Sequence, residues 1–440
     1  MWQIHVAVEN SRELMRRGSQ DGFHQVGGHA CRVTPPENAT IVIPIMSTQS
    51  LTARAEIPST QFRQPKLARL TSVDVYRGLA VAGMILVDNP GSDEGAYWPI
   101  KHAVWNGWTP ADFIFPSFMF LVGISMVFSF SARLQRGETR SHILGHAFKR
   151  TLILIALGIF VNAMPIYGLD LHTWRMEGVL QRIAVCYFVS AILVLWSNAR
   201  WQIVALAACL LGYWAILRFL PVPGFGVPGR DIPFMDPERN LVAWLDRTLF
   251  PGRLYNGMRD PEGIISNLPA IGTVLLGVLT GQWLRSQRTD RMKAGAMLAV
   301  GAGAVIAGLL WDAWFPINKN LWTSSFVLLT GGFALMFLAL LYWTLEIKKW
   351  RRLWTMPFLV FGMNAILGFV ADSLVYGSGY TFTAMGPAGN RLNWHETAQG
   401  YLQTSGLSVA NASLVYSLFA LSFCWFLLWL FWRKRIFAKI

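Results

Sequence analysis

Charge is scarce in this chain. Of its 440 residues 14% are Asp, Glu, Lys or Arg, against roughly 25% in an ordinary soluble domain. That excludes a disordered protein and counts against a single soluble globule. Cysteine is scarcer still: Cys31, Cys186, Cys209 and Cys424 show no close pair and no metal spacing. Neither a disulfide scaffold nor a zinc site is expected. No internal repeat is visible, which counts against the inverted-repeat plan of many transporters. The first 66 residues hold no apolar run long enough for a signal peptide.

What the chain has in abundance is apolar surface. Hydrophobic residues make up 53%, the mean hydropathy is +0.39 and the net charge is +14. A bilayer-spanning helix needs about 20 mostly apolar residues. Ten stretches approach this, near 75–88, 110–130, 148–164, 178–197, 201–220, 264–284, 294–315, 321–345, 354–372 and 408–432. The expected fold is therefore all-α and polytopic, embedded in a lipid bilayer. Tryptophans cluster at the edges of the spans, as in an interfacial belt.

The positive charge has two readings, a nucleic-acid footprint or the one-sided loops of a membrane protein. Sorting by alternate loops decides between them. One set of loops carries 21 Lys+Arg and the other 9, with 11 Asp+Glu beside the 9. Both termini are expected in the cytoplasm by the positive-inside rule. No nucleic-acid partner is expected, because such a partner needs one continuous basic surface. Residues 1–66 read as a disordered cytoplasmic tail, with Met46 as an alternative start, and 67–440 as the transmembrane domain. The 221–263 loop reads as a small cap on the outer side.

Ionisable and amide groups at membrane depth are functional candidates by default. Asp74 and Arg77 lie three apart at the inner end of the first span, so they share a helix face and can pair. The outer half is richer. It holds Asp88 and Asn89, Asp112, Gln181 and Arg182, Glu262 and Asn267, Asp312, and the run Asn318-Lys319-Asn320. Asn364 falls near the middle of span nine. Taken singly, Asp112 reads as a helix N-terminal stabiliser, and the amides as helix–helix hydrogen bonders. Taken together, they point to a polar chamber open to the outside. Histidine suits acid–base work near neutral pH. His5, His24 and His29 are in the tail, and His172 and His395 in outer loops. His142 and His146 are four apart in a basic loop, a spacing that binds metal but more often marks a solvated helix face. His102 sits beside the chamber.

Six runs carry a family resemblance: SVDVYRG (72–78), KHAVWNGWTPADFIFPSFMFLVG (101–123), GVLQRIAV (178–185), DPEGI (260–264), INKNLW (317–322) and GMNAI (362–366). In this order they resemble the heparan-α-glucosaminide N-acetyltransferase family and its bacterial relatives linked to N-acetylglucosamine use. The resemblance covers about 70–440 and does not extend to the lumenal domain of the lysosomal enzyme. It implies a ten-span bundle moving acetyl from cytosolic acetyl-CoA to the amine of a terminal glucosamine across the membrane. It also implies that His102 is the active-site histidine, that Asn89 is its catalytic neighbour, and that a homodimer forms in a bacterial inner membrane.

On that reading His102 acts as general base, or takes the acetyl group itself and passes it on. Asn89 or Arg182 would supply an oxyanion donor. Arg77, Arg182, Gln181 and Asn364 are the expected contacts of acetyl-CoA. Trp105, Asn106, Asp112, Glu262, Asn318, Lys319 and Asn320 are the expected contacts of an amino-sugar or glycan acceptor. No metal is implied. Two other readings stay open, an amino-sugar transporter and an O-acyltransferase acting on a cell-surface glycan.

Overall fold

A computed structural model describes residues 69–438, apart from 93–94, 164–173, 251 and 352. The tail and His172 lie outside the described residues. The chain is an all-α membrane protein. Among the described residues, eight helices are long and apolar enough to cross a bilayer, and a ninth, bent pair qualifies if counted as one span.

In chain order the helices are α1 (Thr71–Asp88), α2 (Ile114–Gln135), α3 (Arg140–Asn162), α4 (Val179–Trp196) and α5 (Ala199–Phe219). Then come α6 (Leu241–Leu249), α7 (Asn267–Leu284), α8 (Asp290–Trp311), α9 (Ser324–Tyr342), α10 (Thr355–Met363), α11 (Ala365–Thr381), α12 (Trp394–Thr404) and α13 (Val409–Arg433). A two-stranded hairpin, β1 (Thr383–Met385) and β2 (Arg391–Asn393), is the whole of the described sheet. Polar caps start many of the helices. Thr139, Asn198, Thr289 and Ser408 each accept a backbone N–H of the first turn, satisfying donors a helix leaves unpaired.

Three sequence expectations need correction. The basic stretch before span three is mostly helix, because α3 begins at Arg140 rather than near 148. Its first two turns are too polar to register in an apolar-run scan. The 354–372 span is not one helix: α10 and α11 meet at Asn364 with an 87° bend. α1 is helical from Thr71, but its three charges, Asp74, Arg77 and Asp88, keep it out of the apolar set.

Apolar side chains gain little by leaving lipid for a protein interior, so close packing of small residues must hold the helices together. α2 crosses α7 at Gly123 and Gly277. A Cβ on Gly277 would lie 1.9 Å from the Phe120 carbonyl oxygen, and one on Gly123 would lie 2.1 Å from that of Val274. α1 meets α10 in the same way, where a Cβ on Gly78 would lie 1.7 Å from the Phe358 oxygen. We expect Gly277→Val to cost about 1–3 kcal/mol or more through overpacking, read as a lower melting temperature in detergent. An unchanged melting temperature would mean this crossing carries no stability.

Residues 221–250 and 252–263 fold against the ends of α5 and α8. Val222, Ile232, Met235, Leu241 and Val242 cluster with Tyr213, Leu217, Phe315 and Leu321. The connection from α8 to α9 is pinned from several directions. Tyr213 Oη donates to the Leu321 carbonyl at 2.5 Å, Ser324 Oγ to that of Leu210 at 2.6 Å, and the Ile317 N–H to Asp312 at 2.6 Å. These bonds fix the backbone that carries Lys319.

Candidate active site

The site is built where the ends of α1, α2, α8 and α11 meet. Thr109, Pro110 and Asp112 open α2 with a capping box on a single 3₁₀ turn. The Asp112 carboxylate is fully buried and has two jobs. Its Oδ2 accepts the Thr109 N–H at 2.9 Å and the Ala103 N–H at 3.2 Å, which folds the 101–112 loop back on itself. Its Oδ1 lies 2.8 Å from His102 Nδ1. The His102 side chain is 41% exposed. This arrangement assigns the Nδ1 proton to the Asp112 bond and leaves Nε2 as the basic nitrogen.

Lys319 Nζ comes from the other side of the site. It lies 3.2 Å from His102 Nε2, 3.0 Å from Nδ1 and 3.5 Å from Asp112 Oδ1. The two loops that meet here are tied together. Asn318 Nδ2 donates to Asn106 Oδ1 at 3.1 Å, and the Gly107 N–H donates to the Ile317 carbonyl at 2.8 Å. Gly107 has φ +97°, a conformation that favours glycine. Trp322 also has a positive φ, 52°. A bulky residue holds such a backbone only when its surroundings over-determine it. Here its ring is buried between Arg182, 4.8 Å away, and Thr273, which accepts its Nε1–H at 3.1 Å.

His102 opens onto a cavity of about 1130 Å3 whose lining reaches from the His102 loop to Arg77 and Arg150. At one end it is lined by His102, Lys319, Asn320, Glu262 and Asp88, at the other by Arg77, Ser125 and Arg150. Phe115, Phe118, Leu121 and Ile366 line the stretch between. At the Arg77 end, Arg77 Nη1 lies 3.3 Å from Asp74 Oδ1, the pair expected from their spacing, and Nη2 donates to Ser125 Oγ at 2.5 Å. Arg150 Nε is buried with no acceptor among the described residues.

Other expected site residues fall elsewhere. Gln181, Arg182 and Asn364 are not in the cavity lining. Arg182 is buried behind Trp322 and donates to Ser266 Oγ and to the Gly263 carbonyl. Gln181 packs against Gly158, and Asn364 Nδ2 donates to the Ile436 carbonyl at 3.3 Å across the α10–α11 bend. Asn318 and Asp112 are fully buried and act by holding the loops. Trp105 stacks under Arg259 at 4.4 Å and donates to the Met235 carbonyl, anchoring the cap. Asn89 has both amide hydrogens engaged, by Ile85 O at 2.9 Å and Asp372 Oδ1 at 2.5 Å. No donor remains on it for an oxyanion. Asp372, Arg175 and Tyr255 line the cavity without having been marked from sequence. Asp372 lies in a run with no distinctive spacing, and only the bend at Asn364 brings it to Asn89. Glu138, His142 and His146 approach within 4.8 Å on the exposed start of α3, but Arg133 and Arg136 already pair with Glu138.

Beside the His102 end lies an ionic cluster. Arg175 forks onto Asp260 at 2.6 and 2.7 Å and also meets Glu262. Burial alone would raise the Asp260 carboxyl, yet the Arg175 guanidinium holds it below the usual carboxylate range. Two neighbours go the other way. Burial, with negative Asp246 and Asp260 nearby, pushes Glu177 up to about 10. Burial pushes Asp246 up to about 7 against the hydrogen bond from the Ile264 N–H. A carboxyl raised on folding holds its proton longer folded than unfolded, so stability falls as pH climbs from the ordinary carboxylate range through the folded pKa. Melting temperature is therefore expected to decline from about pH 4 to 7, and Asp246→Asn to flatten part of that slope. A variant with the wild-type slope would show that Asp246 is ionised in the folded protein.

The catalytic model of heparan-alpha-glucosaminide N-acetyltransferase matches residues 69–310, which hold α1, the His102 loop and α2 through α7. The heparan-alpha-glucosaminide N-acetyltransferase of Homo sapiens is 33% identical over 359 residues, covering 70% of this chain and 53% of that protein. The protein of the same name from Mus musculus is 32% identical over 366 residues, covering 71% and 54%. The chain thus spans about half the length of the curated relatives it matches. With the His102 loop, α1 and α2 inside the matched region, the chain belongs to the heparan-alpha-glucosaminide N-acetyltransferase family.

Proposed function

We propose that this chain is a membrane acetyltransferase carrying acetyl from acetyl-CoA at the Arg77 end to the amine of a glucosamine-type sugar at the His102 end. The observation that carries this reading is the single cavity joining a cationic mouth to a histidine–aspartate pair. Its volume of about 1130 Å3 exceeds the roughly 300–1,000 Å3 of sites for drug-sized ligands, leaving room for a long thioester and a sugar together. The donor set fits coenzyme A: two guanidiniums, one with an unpartnered buried N–H, for phosphates, and an apolar passage for the arm.

Acetyl-CoA supplies the activated acetyl group. His102 Nε2, freed by the Asp112 bond, takes a proton from the acceptor amine or takes the acetyl group itself. Lys319 Nζ, 3.2 Å from Nε2, is the cation placed to stabilise a developing oxyanion. On this reading the Arg77 mouth faces the cytoplasm, as the basic loops favour, the His102 mouth faces outward, and the membrane is a bacterial inner one. Homodimerisation belongs to the same reading.

Purified protein in detergent, given labelled acetyl-CoA and a panel of amino sugars and their hydroxyl counterparts, tests this. Label on the amine of glucosamine supports it. Label on hydroxyls alone would favour an O-acyltransferase. Uptake of unmodified sugar by reconstituted vesicles, with no label transfer, would favour a transporter. Tags on both termini should survive protease added outside sealed spheroplasts, and their digestion would overturn the orientation.

A further inference from the structure

The cavity holds a second acid–base group that the mechanism above does not use. Asp88 ends α1 and Asp372 lies on α11, and both line the cavity at the His102 end. The Asn89 amide that holds Asp372 follows Asp88 directly in the chain, which brings the two carboxyls to one stretch of the cavity wall. Two carboxylates crowded at one site repel each other, which favours one shared proton and one negative charge over two charges. The members are not equivalent. Asp372 is 3% exposed and is held by the Asn89 amide at 2.5 Å, and Asn89 is fixed in turn by Ser417 Oγ donating to its carbonyl at 2.8 Å. Asp88 is the member open to the cavity.

We propose that Asp88, backed by Asp372, docks the ammonium form of the acceptor and takes its first proton. The proposal rests on the acetyltransferase reading. An amino sugar arrives mostly as R–NH3+, which has no lone pair, while the product amide nitrogen keeps one hydrogen. Two protons must therefore leave the nitrogen. The first passes to the Asp88–Asp372 pair, which goes from one proton to two and from one negative charge to none. The free amine then forms the N–C bond as the C–S bond breaks. The second proton passes through His102 Nε2 to the departing sulfur, giving the thiol. The pair afterwards returns its proton to water in the cavity, which accounts for the one proton the overall reaction releases.

The surroundings suit the role. The charged and titratable groups facing the pair are His102 on its loop, Lys319 between α8 and α9, Tyr255 of the cap, Tyr376 one turn along α11 from Asp372, and Cys424 of α13. The Lys319 ammonium repels a cation on its own side of this end of the cavity, which leaves the carboxyls as its landing point.

The test is the pH profile of kcat/KM for glucosamine in wild type, Asp88→Asn, Asp88→Glu and Asp372→Asn. Below neutrality Asp88→Asn should lose roughly 10²–10⁴-fold, the range for a missing general base. Its rate should then climb about tenfold per pH unit towards the pKa of the amine, because only sugar already deprotonated in solution reacts. Asp88→Glu should restore part of the loss, and Asp372→Asn should shift the profile in the same direction as Asp88→Asn. A readout without turnover is glucosamine binding in the absence of acetyl-CoA, which should weaken in Asp88→Asn below neutrality and recover at higher pH. If Asp88→Asn does not fold, Asp372→Asn carries the test. An active wild type with profiles unmoved in these variants would overturn the pair alone. A wild type that acetylates no amine at any pH would instead count against the acetyltransferase reading.

Discussion

Replacement of His102 by Ala is expected to cut acetyl transfer to amino sugars by at least roughly 10²–10⁴-fold, the usual contribution of a positioned acid–base group. The argument is geometric. His102 Nε2 is the basic nitrogen at the cavity mouth, and Asp112 at 2.8 Å sets both its tautomer and its ring orientation. Truncation leaves little else disturbed. The side chain is 41% exposed, and Asp112 keeps Lys319 and the Thr109 and Ala103 N–H groups as partners. The melting temperature should therefore stay near wild type while activity collapses. Transfer that survives in a folded His102→Ala protein would remove the histidine from the mechanism.

Asp112→Asn should be nearly as damaging to turnover and far milder to the fold. An asparagine oxygen turned towards the Thr109 and Ala103 N–H groups keeps the loop closed, but its NH2 then faces His102 Nδ1. That donor forces the proton to Nε2, the atom that must be free. A wrong tautomer in a comparable histidine–aspartate pair costs about 10⁴-fold in kcat, and a loss of about 10²–10⁴ is expected here. Asp112→Ala should add instability, because the buried Thr109 N–H loses its acceptor at roughly 1–3 kcal/mol and the half-buried Ala103 N–H loses its own. Steady-state kinetics alongside melting curves separates the two effects. Wild-type kcat in Asp112→Asn would show that the tautomer does not matter.

Much of the scaffold was legible because a bilayer imposes a simple rule: about twenty apolar residues per helix. The rule reads averages, and it failed where polarity and helix coexist. The first turns of α3 are basic and exposed, so Arg140–Gly145 looked like loop. At Asn364 the backbone leaves the helix at φ −126° and ψ 39° inside an apolar run, and hydropathy carries no trace of that break. The site was legible in part. His102 and Lys319 stood out as ionisable groups at the chamber. From sequence alone Asp112 is a helix-end stabiliser and an expected substrate contact. The structure adds the bond to His102 and removes the direct contact by burying the carboxylate. The Asn89 amide hydrogens are spent inside the protein, and Arg182 is buried behind Trp322, outside the cavity lining, where it donates to Ser266 and Gly263. Asp372 had no sequence signal, since its place beside Asp88 depends on the bend at Asn364 some eight residues away.

The central claim is transfer across the bilayer through one cavity, and sealed vesicles test it most directly. Protein reconstituted in one orientation, with glucosamine trapped on the His102 side and labelled acetyl-CoA supplied only on the Arg77 side, should accumulate labelled N-acetylglucosamine in the trapped compartment. No coenzyme A should cross. Label appearing only when both substrates share one compartment, or only after acetyl-CoA itself has crossed, would contradict the account.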